Sequence, residues 1–310
     1  MEENKRKEDN EYIIIEVPAE FDFRPNLDYM QRNKNEIMYE INNGTITRLI
    51  SINDERMLLE ISAPDNRNLF IRFLDGTQPS SIKTRTAVIN YIRDWFDLNT
   101  DLVPFYTIAW NDQLLKHLIR DFYGLRIVGL PDLFEALCWG VLGQQINLRF
   151  AYTLKRQFVE KFGEAVEYNG KDYWVFPSFE KIAKLTAEDM SGIKMTVRKS
   201  EYIIGIAQLM ASGRLSKERL LELDDFKKIE RELTSIRGIG PWTANYVLMR
   251  CLHYPTAFPI ADVGLQNAIK LLKEMDRKPT KKEILEIAAP WNNWEAYATF
   301  YLWRVSYSNK

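Results

Sequence analysis

Cysteine and histidine are scarce in this 310-residue chain, with two of each. Cys138 and Cys251 stand far apart, each inside an apolar helical pattern. That fits buried thiols in a reducing compartment. The histidines, His117 and His253, have no partners at metal-ligand spacing, so a catalytic metal cluster is excluded and both are expected to be structural. No apolar run approaches the roughly 18 residues of a bilayer span, and no membrane partner is expected. Met1–Asn10 is charged rather than apolar, which argues against a signal peptide and for a cytoplasmic location. Repeats and low-complexity segments are absent, and the net charge of −1 exerts little pull on a polyanion.

What the chain does have is an ordinary 46% of hydrophobic residues, enough for an ample core. Its charge is uneven. Met1–Asp101 holds 13 basic and 19 acidic residues, and Leu102–Lys310 holds 29 basic and 24 acidic, so any basic patch belongs to the second part. Tyr12–Val17 is a short β-branched run, and Phe21–Tyr29 is aromatic with Pro25 inside it. Glu36–Ile41, Thr45–Asn53, Met57–Ser62 and Leu69–Leu74 read as strands, with Asn42-Asn43-Gly44 and Asn53-Asp54 as turns. Ile82–Leu98 then takes up helical spacing. Strands followed by a helix predict an α+β first domain over residues 1–104.

Residues 105–310 read as almost all helix. The expected helices are Asn111–Phe122, Asp132–Gln145, Asn147–Phe162, Phe179–Leu185, Ala187–Ser191, Val197–Ser212, Lys217–Glu222, Asp225–Ser235, Pro241–His253, Val263–Met275, Lys281–Ala288 and Trp294–Tyr307. Tyr168–Phe176, with Asn169-Gly170, reads as an inserted hairpin. The fold class is therefore mostly α with an N-terminal α+β domain.

The richest stretch is Leu233–Asp262. A charged helix ends in Gly238-Ile239-Gly240, and Pro241 opens the next helix, where its missing N–H costs nothing. Two glycines allow positive φ and close approach to another molecule. The first-turn amides of Trp242 and Thr243, with the Gly240 N–H, form a positive helix terminus suited to one phosphate. A loop then leads to one carboxylate, Asp262, which on its own reads as the N-cap of Val263–Met275.

Leu233, Ile236, Gly238, Ile239, Gly240, Thr243 and Ala244, followed by Phe258–Asp262, resemble the helix-hairpin-helix signature of the DNA glycosylase superfamily. Gly124–Gly129, Leu142–Ile146 and Trp294–Trp303 are similar to segments of one branch, the bacterial 3-methyladenine DNA glycosylase II enzymes. The resemblance implies a helix-hairpin-helix glycosylase fold, damaged double-stranded DNA as partner, and a monomer. It implies Asp262 as the catalytic carboxylate and Trp242, Tyr246 and Trp294 as walls of the base pocket. Trp95, Trp110, Trp139 and Trp303 are left as core. Gly238, Gly240 and Thr243 would contact the DNA backbone, and either Gln144 or Gln145 would fill the hole left by the extruded base. The hairpin carbonyls of Thr234, Ile236 and Ile239 would hold a structural Na⁺ or K⁺, with no cofactor required. Two cysteines rule out the iron–sulfur cluster that some relatives carry.

The chemistry is consistent with those residues. Breaking an N-glycosidic bond develops positive charge on the sugar, and a carboxylate stabilises such a state. Relatives that also cut the backbone use a lysine two residues after the second hairpin glycine. Trp242 stands there, and no lysine lies between Lys228 and Lys270. Water is then the nucleophile and an abasic site the product. A cationic alkylated purine would stack well on indole faces. Two other readings stay open: a glycosylase for oxidised or deaminated purines, and a non-enzymatic module that grips DNA.

Overall fold

The computed structural model describes residues 12–305. Expectations for Met1–Glu11, Ser306 and Tyr307 lie outside those residues. Strands β1 (Tyr12–Glu16), β2 (Glu40–Asn42), β3 (Thr45–Ile52), β4 (Glu55–Ser62) and β5 (Asn68–Leu74) form one antiparallel sheet in the order β1-β5-β4-β3-β2. The turns explain the pairing. Asn43 and Gly44 have φ of 50° and 77°, and Asn53 and Asp54 have 52° and 62°. Two successive positive φ values give the hairpin turn whose twist matches the strands, and these residue types tolerate it. The β3–β4 register pairs Ile46 with Ile61 and Leu49 with Leu58.

Both faces of the sheet are covered. One joins the main core through Ile46, Leu59, Ile61 and Ile71. The other buries Leu49, Leu58 and Leu74 under Val166, Tyr168, Tyr173 and Val175. Those covering residues belong to the inserted hairpin, β6 (Glu164–Tyr168) and β7 (Lys171–Val175), which is thus the lid of the sheet's outer face.

Three segments of this half differ from expectation. Phe21–Tyr29 contains helix α1 (Phe23–Met30), capped by Asp22, with Pro25 in the first turn where its ring clashes with nothing. Of Glu36–Ile41 only the end is strand. The Glu36 carboxylate accepts the Ile37 and Met38 N–H groups at 2.9 and 3.0 Å and so competes with a ladder. The segment after helix α2 (Ile82–Trp95) forms a further short helix, α3 (Val103–Ala109), with Pro104 in its first turn.

The helical half continues with α4 (Leu115–Asp121), α5 (Leu133–Leu142), α6 (Leu148–Phe162), α7 (Phe179–Ile182), α8 (Val197–Ala211), α9 (Lys217–Leu221), α10 (Phe226–Ser235), α11 (Pro241–Arg250), α12 (Val263–Leu272), α13 (Lys281–Ala288) and α14 (Glu295–Val305). Ala187–Ser191 is turn rather than helix, closed by the Asp189 carboxylate accepting from Thr186 N and Oγ1. Every residue of α5 is buried, and α6, α8 and α11 pack around it. Asp132, Asn147, Thr196, Asp225 and Asp262 cap their helices by accepting an N–H three residues on, an arrangement worth about 1 kcal/mol each.

Buried charge ties the two halves together. Lys155 lies between Glu36 at 3.1 Å and Glu135 at 3.0 Å, and Arg48 reaches Glu135 at 3.5 Å. Removing one member would strand the others without solvent. Cys138 and Cys251 are buried and free. Trp95 and Trp139 are core, whereas Trp110, expected there, is 42% exposed at the end of α3.

Candidate active site

The site is built on α10, the turn Ile236–Gly240, α11, and the loop that runs to Asp262. Ile239 and Leu233 are buried and anchor the turn. Gly238 has φ +95°, but Gly240 has φ −90° and is the cap of α11. Of the two glycines, Gly238 alone uses the positive φ that both allow. Their surroundings differ too. A Cβ on Gly238 would fall 2.3 Å from the ring of Tyr202 on α8, so its close approach is to this chain itself. A Cβ on Gly240 would meet nothing within 4 Å. Gly240 thus leaves open space beside a helix start that has no side-chain cap, which suits an anion.

The loop is tied down by a residue the sequence reading does not single out. Asn245, on α11, accepts the Phe258 N–H at 2.9 Å and donates to Glu230 on α10 at 2.8 Å. One buried amide therefore holds both helices of the hairpin to the loop. The loop closes on itself through the Asp262 N–H, which donates to Pro259 O at 2.8 Å.

Asp262 caps α12, its Oδ1 accepting the Leu265 N–H at 2.8 Å. Two further donors converge on the same carboxylate. Trp242 Nε1 donates to Oδ2 at 3.0 Å, and Trp303 Nε1 donates to Oδ1 at 2.8 Å. Three N–H groups fix the carboxylate plane while the side chain stays partly exposed. Trp303, expected to be plain core, is 8% exposed, but its indole N–H is committed to Asp262, 41 positions away. Gly264 fits closely beneath this pair: a Cβ there would lie 3.0 Å from Asp262 Oδ1 and 3.1 Å from the Trp303 ring, so either would have to shift slightly.

The indoles also stack. Trp242 lies on Tyr246 (centroids 5.5 Å, 29°), and Tyr246 lies on Trp303 (6.2 Å, 29°). Tyr246, expected in the pocket, sits between the two indoles. It is 4% exposed, and its hydroxyl accepts from Arg250 at 2.8 Å. It backs the indoles rather than facing outward, because position i+4 on α11 points into the core. Trp294 remains partly exposed, but its ring contacts are Phe105 at 5.9 Å and Tyr297 at 6.0 Å, a separate aromatic group.

Thr243 is 1% exposed, and its Oγ1 accepts from Gln144 at 3.3 Å, so its side chain serves packing. Gln144 also donates to Gly238 O at 2.8 Å. Gln145, in contrast, is exposed at φ +56°, between α5 and α6. Gln144 is thus occupied inside the protein and Gln145 faces out. Among the described residues no group of three His, Cys, Asp or Glu could hold a metal. His117 is exposed on α4, and His253 packs beside Asp97 at 3.3 Å.

A hairpin between two helices, followed by a carboxylate under two indoles, defines a helix-hairpin-helix protein with a single acidic centre. The family model described as HhH-GPD superfamily base excision DNA repair protein matches residues 138–293. The one described as 8-oxoguanine DNA glycosylase, N-terminal domain, matches residues 13–137. A DNA-3-methyladenine glycosylase of Bacillus subtilis is 60% identical over 298 residues, covering 96% of this chain and 98% of the relative. A second B. subtilis protein, a putative DNA-3-methyladenine glycosylase, is 43% identical over 61% of this chain and 64% of its own length. A solved 3-methyladenine DNA glycosylase from Archaeoglobus fulgidus superposes with a TM-score of 0.80, over 94% of this chain and 97% of that one, at 23% identity. The chain belongs to the HhH-GPD superfamily of base excision DNA repair proteins.

Proposed function

We infer that this chain is a DNA glycosylase that removes N-alkylated purines from duplex DNA by hydrolysing the N-glycosidic bond. The observation that carries the reading is the Asp262 carboxylate, gripped through both oxygens by Trp242 and Trp303, one helix away from the uncapped start of α11 at Gly240. The relatives named DNA-3-methyladenine glycosylase support the choice of alkylated purines.

The duplex backbone docks on Gly240 and the first turn of α11, which positions it without reading sequence. The damaged nucleotide turns out of the stack, since its glycosidic bond is out of reach inside the duplex. Gln145, exposed at the α5–α6 turn, enters the gap, while Gln144 holds that turn to the hairpin. The base stacks against Trp242, which is partly exposed beside Asp262. Asp262 then faces the sugar. As the C–N bond breaks the base leaves with the bonding pair, the carboxylate stabilises the developing cation, and water adds to the sugar carbon and gives up its proton to solvent. The three N–H donors fix that carboxylate before the reaction, so little reorganisation is needed.

Trp242 occupies the position a lyase would give to lysine, so the reaction stops at an abasic site. A monovalent cation on the carbonyls of Thr234, Ile236 and Ile239 fits the turn: Ile236 O accepts the Ile239 N–H at 3.0 Å and keeps a second lone pair. It would be structural, and no other cofactor is invoked. The protein acts as a monomer in the cytoplasm, with damaged double-stranded DNA as its partner; among the described residues no helix is long and apolar enough to cross a membrane.

A second reading has one observation in its favour, the match of residues 13–137 to the N-terminal domain of 8-oxoguanine glycosylases. One experiment separates the readings. The protein is incubated with duplex DNA that carries methylated and oxidised purines, and the released bases are chromatographed. Free 3-methyladenine and 7-methylguanine are expected. Release of 8-oxoguanine alone would favour the second reading, and release of nothing would leave a DNA-binding module.

A further inference from the structure

Lys199 is the third residue of α8, where the helix's own amides already concentrate positive charge. A lysine there is unfavourable for α8, and a carboxylate would suit it better. The side chain is 9% exposed, and burial lowers its pKa. Its ammonium instead donates to two backbone carbonyls of another element, Leu142 O at 2.7 Å and Gln144 O at 2.9 Å. Leu142 is the last residue of α5, so the cation meets the negative end of that helix. Gln144 O belongs to the turn that carries Gln145.

The same face of α8 carries a second anchor. Tyr202, three residues on, is the ring against which Gly238 packs. Lys199 therefore holds the turn and Tyr202 holds the hairpin. The Gln144 amide closes the triangle by donating to Gly238 O at 2.8 Å. The two positions proposed to meet the duplex, the exposed Gln145 and the half-buried Gly240, are fixed to each other through α8.

We propose that Lys199 is a positioning residue for base extrusion: its ammonium locks the α5–α6 turn so that Gln145 enters the duplex in register with the hairpin. This rests on the glycosylase reading above. It touches neither the base nor Asp262, so it acts before bond breaking and only where a base must be forced out of a pair.

The test compares single-turnover excision of 7-methylguanine from two duplexes, one with cytosine opposite the lesion and one with an abasic spacer there. The spacer removes pairing and lowers the energy of extrusion. Lys199→Met should lose about 10-fold or more on the paired duplex and about 3-fold or less on the spacer duplex. Lys199→Arg, which keeps a cationic donor, should restore paired excision to within about 3-fold of wild type. If the Met variant does not fold, Lys199→Gln is read in its place: it stays polar but loses the charge and cannot reach both carbonyls, so the same selective loss on the paired duplex is expected. Equal losses on both duplexes would make Lys199 a merely structural residue and overturn the proposal. Gln145→Ala, run alongside, checks the wedge itself. A selective loss from Lys199→Met with no loss from Gln145→Ala on the paired duplex would overturn the proposal, since Gln145 would then not be what Lys199 positions. A wild type that releases no base from either duplex would overturn the glycosylase reading and this proposal with it.

Discussion

Trp303 Nε1 lies 2.8 Å from Asp262 Oδ1, so the last helix of the described chain reaches the loop carboxylate directly. The indole fixes the carboxylate's rotation and shields one edge from water. Trp303→Phe keeps the stacked ring and deletes only the donor. Excision should fall by about 10-fold, in the range for one hydrogen bond to a charged group. Trp242→Phe removes the partner bond to Oδ2 and should cost a similar factor. The double variant should lose less than the product of the two, because either bond alone leaves the carboxylate free to turn. Single-turnover rates of the four proteins decide it, and fully multiplicative losses would mean the two indoles act independently.

Asp262→Asn separates the cap from the chemistry. Asparagine is as good an N-cap as aspartate, so the amide oxygen of the variant can still accept from the Leu265 N–H. Its amide N–H₂ would face an indole donor, and no charge would remain to stabilise the sugar cation. Base release should drop by about 100-fold or more, while the melting temperature changes little. A large loss of stability with modest loss of rate would reverse the assignment and leave Asp262 a cap.

The two hairpin glycines should answer differently to alanine. Gly238→Ala forces a Cβ into the Tyr202 ring at positive φ, so melting temperature should fall. Gly240→Ala meets open space and an allowed φ, so stability should hold, yet the new methyl stands where a phosphate would approach. Affinity for undamaged duplex at low salt should weaken for Gly240→Ala. Thermal melts paired with duplex titrations test this, and a reversed pattern would move the phosphate contact to Gly238.

The reaction should leave no trace on the protein. With Trp242 in the place of a lysine, borohydride added during turnover should trap no protein–DNA adduct, and the strand should break only after alkali. A trapped adduct on denaturing gels would locate an amine near the sugar and end the monofunctional reading.

Much of this is legible in the sequence because local chemistry dictates it. Asn43-Gly44, Asn53-Asp54 and Asn169-Gly170 all take paired positive φ, and each closes the hairpin expected from those residue types. The hairpin and its loop can be placed because Gly238, Gly240 and Pro241 act within a few residues of one another. What escapes depends on contacts far apart in sequence. Trp303 reads as core because burial is the ordinary fate of a tryptophan on a buried helix, and nothing in its spacing reveals that its N–H points at Asp262. Asn245 looks like any polar helix residue until the loop folds back onto it. Tyr246 shares a face with Trp242, but helix phase cannot say which of the two lies deeper. Glu36–Ile41 looks like a strand because Ile37, Met38, Tyr39 and Ile41 are apolar, but the Glu36 carboxylate, paired with Lys155, takes up the Ile37 and Met38 N–H groups that a ladder would need.

His253, at the start of the loop that leads to Asp262, gives the protein a pH dependence. Burial drives its pKa below 6.5, against the pull of Asp97 at 3.3 Å and of Asp94, with Lys217 and Arg250 acting in the same direction as burial. The folded chain therefore resists protonation at this site while the unfolded chain accepts it. Where the unfolded state binds the extra proton, stability rises with pH. Stability should thus be complete above the unfolded value of about 6.5 and decline as pH falls below it toward the folded value. His253 also holds φ +58°, a conformation that asparagine tolerates. His253→Asn keeps the backbone and removes the titration, so its melting temperature should fall less between pH 7 and pH 5.5 than that of the wild type. Parallel slopes for the two proteins over that interval would show that acid sensitivity originates elsewhere.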